Sequence, residues 1–333
     1  MELLILGGGN FVGPALAAGA LQRGWRVSCL SRGHAPLPAG CRHLSADRND
    51  PATVRTVLLR ENPDFAIDTW SGAPAAVSAA AHALAGSGCR YAYVSSRSVY
   101  TVPTADDADE EHFVVDSAPA TGGHDYAANK RGGELAAISE LGPERVLLLR
   151  AGLIFGPGEN SGRLTWWLAR MNRGGRVLVP GPPGMDLRVI DVRDLAAFAL
   201  DRLQRGDHGT YDVGGPADRT TARTLLESCW TVTGSQAELV WADGGWLVKQ
   251  GVEPFTELPI WSPAGHPLHG LHTGCTGKAE AAGLTSRPVA ETVSATWAAF
   301  DPAATHGYCI GLAADREQRL LAAWDAYCRR YHN

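Results

Sequence analysis

Leu3-Leu4-Ile5-Leu6 runs straight into Gly7-Gly8-Gly9-Asn10-Phe11-Val12-Gly13, and a helical pattern follows over residues 14–22. The aliphatic run predicts a short strand buried on both faces. The glycines predict a tight turn, because backbone with positive φ and no Cβ lets amide N–H groups and a helix N-terminus converge on an anion. Strand, turn and helix with no linker between them suit a dinucleotide pyrophosphate, although the same turn also occurs without a ligand. Asn10 stands at the centre of the turn, and asparagine tolerates φ > 0 better than other side chains, so the turn is expected to close there. The candidate cofactor contacts in this stretch are Gly7, Gly9, Asn10, Phe11, Val12 and Gly13.

The chain has 333 residues, 45% of them hydrophobic, enough for a large domain with a smaller partner. A net charge of −5 with no basic run disfavours nucleic acid and anionic membrane surfaces, leaving small molecules as ligands. Seven cysteines with no Cys-x-x-Cys pair fit neither a disulfide framework nor a zinc site. The four-residue apolar stretch near the start is too short for a signal peptide or a membrane span, and a cytoplasmic location is expected.

Beta-alpha alternation continues along the chain. Residues 26–31 read as a second strand ending in Ser31-Arg32-Gly33, where dinucleotide binders commonly place an acid on the ribose 2′-hydroxyl. Here the acid is missing and Arg32 is present, which favours NADP(H) over NAD(H). A third strand leads to Asp47-Arg48, placed beside the adenine, with Asp47 as cap of a helix at 51–60 the equal alternative. A fourth, Phe65-Ala66-Ile67-Asp68, opens into Thr69-Trp70-Ser71. This repetition predicts an α/β protein with a Rossmann-type doubly wound parallel sheet, whose ligands lie at the carboxyl ends of the strands. The fifth strand, Tyr91–Val94, runs into Ser95-Ser96-Arg97-Ser98, and after an acidic loop at 105–116 comes Gly123-His124-Asp125-Tyr126. Tyr126 and Lys130 stand one helical turn apart on one face, which suits proton transfer by a phenol whose pKa a neighbouring ammonium lowers.

Together the glycine turn, the Ser-Ser-x-Ser-Val-Tyr strand end and Tyr126-x-x-x-Lys130 resemble the extended short-chain dehydrogenase/reductase superfamily, the NAD-dependent epimerase/dehydratase family. Asn10 replaces the middle glycine of that family's turn. The resemblance extends through Gly152-Leu153-Ile154-Phe155-Gly156-Pro157, a loop that would cover the nicotinamide, to Val189–Ala196 and Gly209–Gly215. It implies that Ser96 bonds the substrate oxygen, Tyr126 carries its proton, and Lys130 binds the nicotinamide ribose. Ser95, Thr69, Trp70, Gly152 and Leu153 would line the cofactor; Trp70, Ser98 and Arg188 would reach the substrate. It also implies a homodimer paired through the helices near 74–86 and 125–140.

Three departures guide the choice of reaction. Arg97-Ser98 stands where nucleotide-sugar dehydratases have Asp-Glu after the catalytic residue. Leu187-Arg188 stands where epimerases have Arg-Asp, with Asp191 for their histidine. Arg32 suits an exchangeable reductant. NADPH-dependent ketoreduction is therefore the first expectation, epimerisation of a sugar or nucleotide sugar the second, and a non-catalytic dinucleotide sensor the third.

The larger domain is expected over 1–159 plus 188–228, and a smaller substrate lobe over 160–187 plus 229–333. Trp166, Trp167, Trp230, Trp241, Trp246 and Trp261 fall in the lobe segments or at their edges, where packing outweighs an aromatic pocket as their expected use. His266, His269 and His272 carry no acidic companion and are interrupted by Pro267 and Gly270, so no metal site is expected.

Overall fold

The computed structural model describes residues 1–104, 107–119, 125–216, 219–271, 273–301 and 310–331. Part of the 105–116 loop, the Gly123-His124 pair and His272 lie outside them. In chain order the elements are β1 (Glu2–Leu6), α1 (Val12–Gln22), β2 (Arg26–Ser31), β3 (Cys41–Ser45), α2 (Pro51–Leu58), β4 (Phe65–Asp68), α3 (Ala75–Leu84), β5 (Arg90–Ser96), α4 (Tyr126–Leu141), β6 (Val146–Ala151) and β7 (Leu153–Phe155). They continue with α5 (Arg163–Asn172), β8 (Gly175–Pro180), β9 (Val189–Asp191), α6 (Val192–Arg205), β10 (Gly209–Val213), α7 (Ala222–Thr233), β11 (Ala237–Ala242), α8 (Gly244–Lys249), α9 (Gly277–Ala281), α10 (Val289–Ala299) and α11 (Ala314–Tyr331).

Seven strands form one parallel sheet in the order β10-β6-β5-β4-β1-β2-β3. Leu3, Ile5, Val27, Ile67 and Leu149 meet Leu16, Phe198 and Leu203 of α1 and α6 on one face. Leu4, Leu6, Ala66, Tyr91 and Leu148 meet Val54, Val77, Ala81 and Ala137 of α2, α3 and α4 on the other. This is the doubly wound arrangement, and burial on both faces explains why β1, β4 and β6 read as continuous apolar runs.

The second core gathers Trp167, Leu168, Val177, Leu178, Leu225, Trp246, Leu247, Trp261 and Val293 around the parallel pair β8 and β11. Helix α7 packs into this core, so the lobe takes in residues that the sequence reading assigned to the larger domain. Trp166, Trp167, Trp241, Trp246 and Trp261 pack in or against this core, whereas Trp230 is exposed: Trp167 Nε1 donates to the Pro259 carbonyl at 2.9 Å, and Trp246 lies 4.9 Å from Trp324 between ring centres. Among the described residues no helix is long and apolar enough to cross a membrane, and no cluster of ligating side chains could hold a metal ion.

Candidate active site

The turn at 7–13 is closed by contacts that exclude side chains. A Cβ on Gly13 would lie 2.2 Å from the Gly7 carbonyl oxygen, and one on Gly7 (φ 110°) would lie 2.2 Å from Thr69 Oγ1. The expectation that Asn10 carries the positive φ is corrected: within the turn the positive values belong to Gly7 and Phe11, the latter at 37°. A bulky residue held there stores local strain at the N-terminus of α1. Asn10 instead uses its side chain, accepting a 2.9 Å hydrogen bond from Asn160 Nδ2 and tying the turn to the loop before α5.

On one side of the turn a groove of about 480 Å³ runs over the carboxyl ends of β1, β2 and β4. Gly7, Gly9, Asn10, Ser31, Arg32, Asp47, Arg48, Thr69 and Trp70 line it. A dinucleotide fits these residues, because α1 has neither a side-chain cap nor an acidic residue in its first turn, leaving its N-terminal amides and positive dipole end for a pyrophosphate. Arg32 is exposed in the groove beside Ser31, whose hydroxyl lies 3.1 Å from His43 Nε2. Asp47 accepts from the Asn49 amide at 2.9 Å, and the cap of α2 is Asp50, which accepts from Ala52 and Thr53 amides.

Arg48 walls the groove, yet its guanidinium is committed elsewhere. It forms a two-pronged ion pair with buried Asp68 at 3.0 and 2.7 Å and donates to the Ala76 carbonyl, while Tyr91 OH donates to the same carboxylate. Its role is to fasten the β3–α2 loop to β4. Ser95 is corrected as a cofactor contact: its hydroxyl points behind the sheet end, donating to Glu134 at 2.7 Å within a buried network that holds Arg150. Val12 and Gly13 line neither cavity and contribute backbone and close packing.

On the other side of the turn a cleft of about 490 Å³ opens between the two cores. Phe11, Ser96, Arg97, Ser98, Tyr126, Gly152, Leu153, Asn160, Arg163, Phe255 and Leu268 line it. Ser96 ends β5 and caps the following turn, its Oγ accepting from the Ser98 amide at 3.1 Å and lying 3.2 Å from Ser98 Oγ. Tyr126 opens α4 just after Asp125, which caps the helix by accepting from the Ala127 amide. The strand end and the helix start thus bring the Ser96 hydroxyl and the Tyr126 phenol into one cleft. Burial raises the Tyr126 pKa above its ordinary value, while the Ser96 hydrogen bond and the Arg163 charge pull against that rise.

Lys130 lies one turn further along α4, and its ammonium donates to the Trp70 and Val94 carbonyls at 2.6 and 2.7 Å. It lies over the Tyr93 ring at 4.9 Å and is pushed down to about 8 by burial, against the pull of Asp68 and Glu134. Two of its three protons are spent on backbone, leaving one for a ribose hydroxyl.

Two substrate expectations are corrected. Trp70 lines the dinucleotide groove and not the cleft, its indole donating to the Ala73 carbonyl at 3.0 Å. Arg188 turns away, donating to the Thr273 carbonyl at 3.2 Å, and lines neither cavity. Ser98 does line the cleft. Arg97 reaches it as well, but its guanidinium is paired with buried Asp212, which also accepts from Tyr100 OH at 2.7 Å. Burial pushes the Asp212 carboxyl up to about 6 even beside that arginine.

Sequence reasoning missed Asn160, Arg163, Phe255 and Leu268. They come from the two lobe segments, where no spacing rule links residues brought together only by the packing of the lobe onto the sheet.

A model of the NAD dependent epimerase/dehydratase family matches residues 3–214. No curated protein matches the sequence. Among solved structures, the Bordetella bronchiseptica enzyme WbmH in complex with NAD+ is 18% identical, with 90% of this chain and 98% of that one covered and a TM-score of 0.69. A UDP-glucose 4-epimerase from Thermus thermophilus in complex with NAD is 19% identical over the same shares, with a TM-score of 0.64. A UDP-glucose 4-epimerase from Thermotoga maritima with UDP-glucose is 16% identical, again over 90% and 98%, with a TM-score of 0.66. At these identities the neighbours establish the fold, while the family match spans well over half of the chain. The chain belongs to the NAD-dependent epimerase/dehydratase family of extended short-chain dehydrogenases/reductases.

Proposed function

We propose that this enzyme inverts a secondary-alcohol centre of a sugar or nucleotide sugar, by oxidation to the ketone and return reduction on the opposite face. The observation that carries the reading is that the Ser96 hydroxyl and the Tyr126 phenol line one cleft, which adjoins the dinucleotide groove across a single glycine turn. Family membership and neighbours described as UDP-glucose 4-epimerases favour epimerisation over the ketoreduction expected from sequence.

The groove residues Gly7, Gly9, Asn10, Ser31, Arg32 and Thr69 would hold the dinucleotide, with Lys130 toward its nicotinamide ribose. When bound, that group supplies a hydride acceptor and donor at the reacting carbon. Ser96 holds the substrate oxygen against the phenol, and Tyr126 takes the hydroxyl proton and later gives it back. Arg163 supplies positive charge that favours the phenolate at the start of this exchange. The loop bearing Asn160, tied to Asn10, walls the cleft toward the turn.

A second reading, NADPH-dependent net reduction of a ketone, draws on Arg32 in the groove, where the end of β2 would offer a 2′-phosphate a guanidinium, the groove's carboxylate Asp47 standing after β3. Incubation with UDP-glucose, following the 4-position by NMR and cofactor absorbance together, separates the two. Inversion without net cofactor consumption supports the epimerase. Ketone-dependent loss of NADPH absorbance with no inversion replaces it with the reductase.

A further inference from the structure

Among the described residues lining the reactive cleft there are two arginines and no carboxylate, in a chain whose net charge is −5. One of the two, Arg97, is neutralised by Asp212. The other, Arg163, is half-buried at the start of α5, and among the described residues its guanidinium has no hydrogen-bond or ion-pair partner. The acid nearest to it in sequence is not available: the Glu159 carboxylate is turned inward, accepting from the Arg163 and Thr165 amides and from the Ser161 and Thr165 hydroxyls. Glu159 therefore caps the helix and leaves the arginine charge uncompensated in the cleft.

We propose that Arg163 is a specificity residue that grips an anionic group, carboxylate in kind, carried by the substrate next to its reacting carbon. The inference rests on the reading of the Ser96–Tyr126 cleft as the reaction site. Its location sets the position of the anion. Arg163 and Tyr126 line the same cleft, so what the guanidinium holds shares that cleft with the proton-transfer atom. The diphosphate of a nucleotide sugar reacting at that phenol would lie a sugar ring away. A guanidinium binds carboxylate through a two-pronged, charge-assisted contact, and a cleft without competing acids keeps that contact strong.

The probes are UDP-glucuronate and UDP-glucose, alike except for a carboxylate beside the reactive part of the ring, titrated calorimetrically into the full chain loaded with NAD+. UDP-glucuronate should bind at least about tenfold more tightly. Arg163→Ala should remove that advantage while leaving UDP-glucose within about twofold, and Arg163→Lys should restore part of it. Equal or weaker binding of UDP-glucuronate overturns the proposal. So does an Arg163→Ala variant that loses both sugars alike, which would place the diphosphate on Arg163. An Arg163-dependent preference for UDP-glucuronate, with turnover of neither sugar, keeps the anion site and removes the epimerase reading.

Discussion

The Lys130 ammonium is bonded to the Trp70 carbonyl at 2.6 Å, which joins the helix that bears Tyr126 to the wall of the dinucleotide groove. Tyr93 OH donates to the same carbonyl at 2.9 Å, so the end of β4, the middle of β5 and the first turns of α4 are held as one unit. The helix that opens with Tyr126 and the groove thus share one wall.

Replacing Lys130 tests that unit. Lys130→Met should lower stability by about 1–3 kcal/mol, because the buried Val94 carbonyl loses its donor. The ammonium also titrates at about 8 in the fold against 10.5 ordinarily, so between these values the unfolded chain holds the extra proton and stability gains with rising pH. Urea melts from pH 7.5 to 10.5 should show this gain in the wild type relative to Lys130→Met. A constant difference would mean that Lys130 is not buried in its charged form.

Gly13 is tested by one methyl group. A Cβ there would meet the Gly7 carbonyl and Gly8 Cα, both backbone, so nothing flexible can yield. Gly13→Ala should lower dinucleotide affinity at least about tenfold and the melting temperature by several degrees. Fluorescence titration with NADH and thermal melts read both, and an unaltered affinity would detach the turn from cofactor binding.

The proposed preference for NADP(H) is tested at Arg32. The wild type should bind NADPH more tightly than NADH, and Arg32→Ala should erase the difference, costing about 1.5–3 kcal/mol for the lost charge-assisted contact. Equal affinities in the wild type would refute the assignment.

Much of this was legible in the sequence, where local chemistry decides the structure. The run Leu3–Leu6 and the glycines after it could become only a buried strand and a turn, and the Tyr126–Lys130 spacing follows from the helix itself. Long-range partners were not legible. Ser95 and Arg48 look like cofactor residues by position, but Glu134 and Asp68 claim their side chains across the fold. Arg163 stood in a Gly-Pro-rich loop with no periodicity, and only the docking of α5 beside the sheet end brings it to Tyr126. The positive φ moved from Asn10 to Phe11 because the helix begins at Val12, so the residue just before it makes the bend.

Tyr126 decides the mechanism. Tyr126 as a residue is 48% exposed and its helix is capped by Asp125, so Tyr126→Phe should fold with a melting temperature within about 1–2 °C of the wild type. Turnover of a panel of nucleotide sugars and ketones, followed by product stereochemistry alongside NADPH absorbance, should fall by about a thousandfold or more in this variant. Turnover unchanged in a folded Tyr126→Phe protein would contradict proton transfer by this residue for inversion and for reduction alike.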